Sequence, residues 1–223
     1  MSTLARPKAV LWDFDGTLVD TEPLWAATEQ LMMAERGLAF TADQMKSMHG
    51  QSAWLTAEMI ATAFGEPHLV ADVYDELHRR MATHLRTNDL PWLPGARELL
   101  SELHAENVPC AVVTASNNVI VDAARDRLPD NVAFIVTSDD VQRTKPHPEP
   151  YLTAMERLGV AGADTVVLED SVPGTTSGLA AGAVVYAVPT LVKLEPQPRM
   201  VISPTGLAET SWADLIQVWK DYS

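Results

Sequence analysis

The chain has 223 residues, of which 47% are hydrophobic and 21% charged, and its formal net charge is −14. That apolar content without low-complexity tracts excludes a disordered chain and allows one or two folded domains, while the acidic balance argues against nucleic acid or an anionic membrane as the main partner. The single cysteine, Cys110, excludes an internal disulfide; with no signal-peptide pattern at the N-terminus, it leads to the expectation of a reducing, cytoplasmic setting.

Along the chain, the apolar run Ala9–Trp12 predicts a strand that leads directly into Asp13 and Asp15, after which Gly16 turns the backbone. Residues i and i+2 of a strand point the same way, so both carboxylates can serve one site at the strand's C-terminal end. Two carboxylates so close repel unless a cation or a shared proton compensates them.

From Thr21 to about Asn88 the strand pattern stops. Pro23–Arg36 carries Leu24, Thr28, Leu31 and Met32 on one stripe, and Thr41-x-x-Gln44 forms a capping box for a short helix. Ser52–Phe64 and His68–Leu85 repeat apolar residues at helical spacing, with His78 and His84 on a charged helix and expected to be solvated. The domain expectation is therefore a four-helix insertion over residues 21–88, placed to act as a lid over a core built from residues 1–20 and 89–223. Trp25, His49, Gly50, Gln51 and Trp54 are its candidate pocket residues, although packing accounts equally well for the tryptophans.

Beyond the insertion, Val108–Val113, Val132–Val136, Thr165–Leu168 and Ala183–Val188 are short, β-branched and nearly unalternated, as strands buried on both faces are. Helical stretches such as Gly95–Glu106 and Pro148–Leu158 separate most of them. This rhythm predicts an α/β fold with a doubly wound parallel sheet, whose ligands bind beyond the carboxyl ends of the strands. The longest apolar run, Ala183–Val192, is too short to cross a bilayer and contains Pro189. The Pro-rich tail ends in a helix bearing Trp212, Leu215, Ile216 and Trp219 and is read as packing.

Three more polar groups fall at the predicted strand ends. They are Thr114-Ala115-Ser116 ahead of a helix start at Asn117-Asn118, Lys145 in Thr144-Lys145-Pro146-His147-Pro148, and Glu169-Asp170-Ser171 before the Gly174 turn. A helix start with free N–H groups suits an anion. Alone, each of the three reads as an ordinary cap or turn; together with Asp13 and Asp15, in this order, they form a pattern.

That pattern resembles the haloacid dehalogenase-like hydrolase superfamily, whose first motif is Asp-x-Asp-Gly-Thr followed by an apolar pair. Asp13–Asp20 matches it throughout, Thr114 the second motif, Lys145 the third and Glu169-Asp170 the fourth. The insertion resembles the small helical cap of the subgroup that holds phosphoglycolate phosphatases and β-phosphoglucomutase. The resemblance implies a sheet ordered 5-4-1-2-3, Asp13 as nucleophile forming an aspartyl-phosphate, and Asp15 as general acid and base. It also implies Mg²⁺ at Asp13, the Asp15 main-chain carbonyl and Asp170 with Glu169 nearby, phosphoryl binding by Thr114 and the Ala115 and Ser116 amides, and Lys145 as orienting cation. The implied partner is a small phosphomonoester, a sugar phosphate or a phosphoglycolate-like acid.

Dehalogenase and phosphonatase members depart at the position of Asp15. Mutase members carry a cap histidine where Trp25 aligns and an arginine after a Gly-x-Ser stretch, where Gly50-Gln51-Ser52 is followed by Ala53; hydrolysis is therefore favoured over a mutase. A receiver-type phospho-aspartate switch uses the same residue types, but there the lysine follows the acids, whereas Lys145 precedes Glu169-Asp170.

Overall fold

The computed structural model describes residues 5–48, 52–189 and 192–222. The chain divides into two compact units, one made of residues up to Asp20 with Pro91–Asn118 and the stretch from Arg127 onward, the other of Thr21–Leu90 with Val119–Asp126.

The first unit holds strands β1 (Ala9–Trp12), β2 (Cys110–Val113), β3 (Val132–Val136), β4 (Thr165–Glu169), β5 (Val184–Ala187) and β6 (Met200–Ile202). They form one sheet ordered β3-β2-β1-β4-β5-β6, and every neighbouring pair is parallel. Strands β1, β2, β4 and β5 are buried at every position, which is why their sequences do not alternate. The edge strand β3 is partly exposed over Val132–Phe134. The 5-4-1-2-3 order is present. It is extended by β6, a correction to the reading of the tail as loop and helix alone. Three residues next to a Pro-rich stretch are too short to carry a periodic signal.

The stretch Thr21–Leu90 of the second unit holds the α-helices α1 (Glu22–Glu35), α2 (Ala42–Met48), α3 (Ala53–Ala63) and α4 (Val70–Thr87). After them come α5 (Ala96–Ala105), the five-residue α6 (Asn118–Asp122), α7 (Glu149–Leu158), α8 (Val172–Ala180) and α9 (Trp212–Tyr222). The Thr41/Gln44 capping box forms in both directions, at 2.8 and 3.2 Å, and Ser52 caps α3 by accepting from the Leu55 amide. Met32, Met33, Ala57, Ile60, Ala61, Val73 and Leu77 form the core of this helical unit.

Two side-chain expectations here need correction. Leu31 is 53% exposed, because the buried stripe of α1 runs through Thr28, Met32 and Met33. His78 is buried, not solvated: its Nδ1 lies 2.8 Å from the Tyr74 carbonyl oxygen, and Trp25 and Tyr74 pack against its ring. His84 is exposed as expected. No helix among the described residues is long and apolar enough to cross a membrane.

The core of the first unit joins Leu11, Val113, Val136, Val167 and Val185 of the sheet to Tyr151, Ala154 and Met155 of α7. Burial of this kind contributes about 25 cal/mol per Å² of apolar surface and holds the strand ends in register. All the polar groups singled out in the sequence of this unit lie at those ends.

Candidate active site

Asp13 follows β1, and its amide donates to the Leu168 carbonyl of β4 at 3.0 Å. The Thr114 amide is held by the Val136 carbonyl of β3 at 2.9 Å. Glu169 is the last residue of β4, and its carbonyl accepts from the Val188 amide at 2.7 Å. The sheet ladder thus carries the acids and the hydroxyl to one edge. Lys145 arrives from the loop before α7, and its Nζ donates to Asp13 Oδ1 at 2.6 Å, Glu169 Oε1 at 2.6 Å and the Val113 carbonyl at 2.7 Å. An ammonium has three protons, so Lys145 is fully used.

This lysine is 4% exposed at its side chain, and its two carboxylate partners 8% and 0%. Burial alone would depress the Lys145 ammonium, but Asp13 and Glu169 outweigh it and hold the pKa above its ordinary value. Burial drives the Asp13 carboxyl well above the usual carboxylate range; Lys145 pulls it down, while Glu169, Asp170 and Asp15 push it up. A carboxyl so placed calls for further positive charge.

The acids are set for such a charge. Oxygens of Asp13, Glu169 and Asp170 all lie within 4.8 Å of one another. At Gly16, which has φ +83°, a Cβ would stand 2.1 Å from Asp170 Oδ2, so this turn is open only to glycine if Asp170 is to sit here. A hard divalent cation takes oxygen ligands of this kind, and the donor set fits one. Glu169 differs from its neighbours. Its Oε1 accepts from Lys145 and Tyr151, and its Oε2 from the amides of Asp170 and Ser171 and the Ser171 hydroxyl. Those donors already fill the lone pairs of both oxygens.

Asp15 has different partners. Its Oδ2 accepts from Ser116 Oγ at 2.6 Å and Thr114 Oγ1 at 3.2 Å. The Ser116 amide is itself committed to Thr114 Oγ1 at 2.9 Å, and the Asn118 amide to Asp139 Oδ2 at 2.8 Å. The single turn of α6 therefore offers little of the helix-terminus field its sequence suggests. Ala115 is exposed between them.

The structure thus brings Asp13, Asp15, Thr114, Ser116, Lys145, Glu169 and Asp170 to one edge of the sheet. Gly50, Gln51 and His49 lie outside the described residues; Trp25 is half-buried, and Trp54 is 48% exposed. Sequence reasoning missed Tyr151, and it named Ser171 and Gly174 without their contacts with Glu169. The available signal for Tyr151 was a phenol on the apolar face of a helix, since a buried tyrosine hydroxyl needs a partner.

The haloacid dehalogenase-like hydrolase family matches residues 10–188. Hexitol phosphatase A of Escherichia coli is 37% identical over 82% of this chain and 83% of its own length. The phosphoglycolate phosphatase of Xylella fastidiosa is 32% identical over 85% of this chain and 81% of its own. In fold, β-phosphoglucomutase of Clostridium difficile superposes with a TM-score of 0.75 over 97% of this chain and 98% of that one, at 18% identity. With the match running from Val10 of β1 through β5 and taking in every polar group gathered at the strand ends, this chain belongs to the haloacid dehalogenase-like hydrolases.

Proposed function

We propose that this hydrolase is a Mg²⁺-dependent phosphatase that cleaves a small phosphomonoester through an aspartyl-phosphate on Asp13. The observation that carries the reading is Asp13 itself: 6% exposed, with Lys145 Nζ at 2.6 Å on one oxygen and the carboxylates of Glu169 and Asp170 close by. A buried carboxylate oriented by a lysine is suited to act as a nucleophile.

In this mechanism an Asp13 oxygen forms a bond to phosphorus as the ester P–O bond breaks, and Asp15 gives its proton to the departing alkoxide. Water then attacks the phosphorus, Asp15 takes a proton from it, and the acyl-phosphate bond breaks to restore Asp13 and release phosphate. Asp15 is held by Ser116 and Thr114; on substrate binding the single Thr114 proton is assigned to turn from Asp15 to a phosphoryl oxygen, together with the Ala115 amide, leaving Ser116 on Asp15. Lys145 keeps Asp13 aimed and offsets its charge against the incoming phosphate. Mg²⁺ held by Asp13, Asp170 and the Asp15 main-chain carbonyl would supply the positive charge that favours the Asp13 carboxylate and neutralises the phosphoryl group.

The two relatives named for hexitol and phosphoglycolate phosphatase activity support a small phosphorylated polyol, sugar or hydroxy acid as substrate. Substrate choice is assigned to the helical unit by its insertion after the first strand. The test is phosphate release from a panel of metabolite monophosphates, with Asp13→Asn alongside. Release that requires Mg²⁺ and is lost in Asp13→Asn is expected. Conversion of β-glucose 1-phosphate to glucose 6-phosphate faster than phosphate release would replace the phosphatase with a mutase.

A further inference from the structure

We infer that Tyr151 is a positioning residue of this site, acting through Glu169 and Lys145 on Asp13; the inference rests on the reading of Asp13 as nucleophile. Tyr151 lies in the first turn of α7 and is fully buried. Its hydroxyl donates to Glu169 Oε1 at 2.9 Å, the same oxygen that receives Lys145 Nζ at 2.6 Å. The face of its ring lies 5.1 Å from that ammonium, within cation–π range. One side chain therefore touches both members of the buried ion pair next to the nucleophile.

Packing does not explain the hydroxyl. Apart from Glu169 and Lys145, Tyr151 belongs to an apolar core cluster with Val113, Ala154, Met155 and Val167, and phenylalanine would fill the same volume. What the hydroxyl adds is a second donor on Oε1. Ser171 and two amides hold Oε2 from the opposite side, so the carboxylate plane of Glu169 is fixed at both ends. With Glu169 and the Val113 carbonyl immobile, the third Lys145 proton has one direction left, toward Asp13 Oδ1. Without the hydroxyl, Oε1 keeps Lys145 as its sole donor, and the ammonium moves toward Glu169 at the expense of Asp13. Because both Glu169 oxygens are already filled by protein donors, the change reaches the site through Lys145 and the Asp13 Oδ1 it holds, and not through Glu169 as a cation ligand.

The experiment compares full-length wild type, Tyr151→Phe and Asp13→Asn. It measures kcat and KM for the best phosphomonoester, and Mg²⁺ binding without substrate by calorimetry. Tyr151→Phe is expected to lower kcat about 10- to 100-fold, the range for removing a hydrogen bond that orients a reacting group, with KM and the Mg²⁺ dissociation constant within about twofold of wild type. A residue that only packs would lower the melting temperature and leave kcat unchanged. An unchanged kcat beside an inactive Asp13→Asn overturns this inference alone. A loss confined to KM or to Mg²⁺ affinity also overturns it, because Glu169 would then be acting on substrate or cation. Activity that survives Asp13→Asn removes the reading on which both stand.

Discussion

Lys145 spends its three protons on Asp13, Glu169 and a backbone carbonyl, all in a buried setting, so its removal leaves two carboxylates without their counter-charge. Breaking a buried pair in this way costs about 3–5 kcal/mol. Lys145→Met is therefore expected to lower the thermal midpoint by on the order of 10 °C as well as to abolish turnover, and a melt in chelator checks the first half. Gly174 is the less obvious member of the site. A Cβ there would stand 1.8 Å from Glu169 Oε1 and 1.9 Å from Cδ, and that carboxylate cannot swing aside without giving up its donors. Gly174→Ala should displace Glu169, and kcat should fall by about 100-fold or more, the upper end for a change that misplaces an orienting group. Wild-type kcat in Gly174→Ala would mean that the position of Glu169 is immaterial. The acids, the threonine and the lysine were legible in the sequence because each carries a charge or hydroxyl at a predicted strand end. Tyr151 was not, and Gly174 was legible only as a turn, since their meaning is three-dimensional: one lies six residues beyond Lys145 in an apolar helix face, the other beside a carboxylate five positions earlier.

The strands were readable because burial on both faces removes polar residues from them, as in Ala9–Trp12 and Thr165–Glu169. Helix starts were readable where the capping chemistry is local, as at Thr41 and Ser52. Strand β6 was not, because pairing with β5 and not its own composition makes it a strand. Arg199, at φ +62°, turns the chain into it and ties its guanidinium to the Gly182 and Leu179 carbonyls at 2.7 and 2.9 Å. The stripe of α1 failed by one residue: Leu31 faces solvent while Met33 is buried. Strand β2 carries the lone cysteine into the sheet core, where burial pushes the Cys110 thiol up to about 12. The sign follows from linkage. An acid whose folded pKa is raised adds stability that is complete below its unfolded value and lost as pH rises toward 12. Cys110 should thus resist a thiol reagent at pH 8 in the native protein and react once denaturant unfolds it. Fast native labelling would place β2 outside the buried sheet.

At the scale of the whole molecule a net charge of −14 opposes the approach of an anionic phosphomonoester. The global field slows approach, while Lys145, and the cation proposed beside Asp13, would act only at short range. Screening shortens the repulsive field to roughly 8 Å at physiological salt, so raising NaCl from about 0.01 to 0.15 M should increase kcat/KM for a dianionic phosphomonoester. A fall over that range would point instead to attraction by a positively charged entrance. Transfer of the phosphoryl group to Asp13 is tested by rapid mixing with substrate and Mg²⁺, acid quenching, and mass spectrometry of the proteolysed protein. One phosphoryl group is expected on the peptide that contains Asp13, absent from Asp13→Asn. A phosphoryl group on Thr114 or Ser116, or turnover with no phosphoprotein formed at any time, would contradict that transfer.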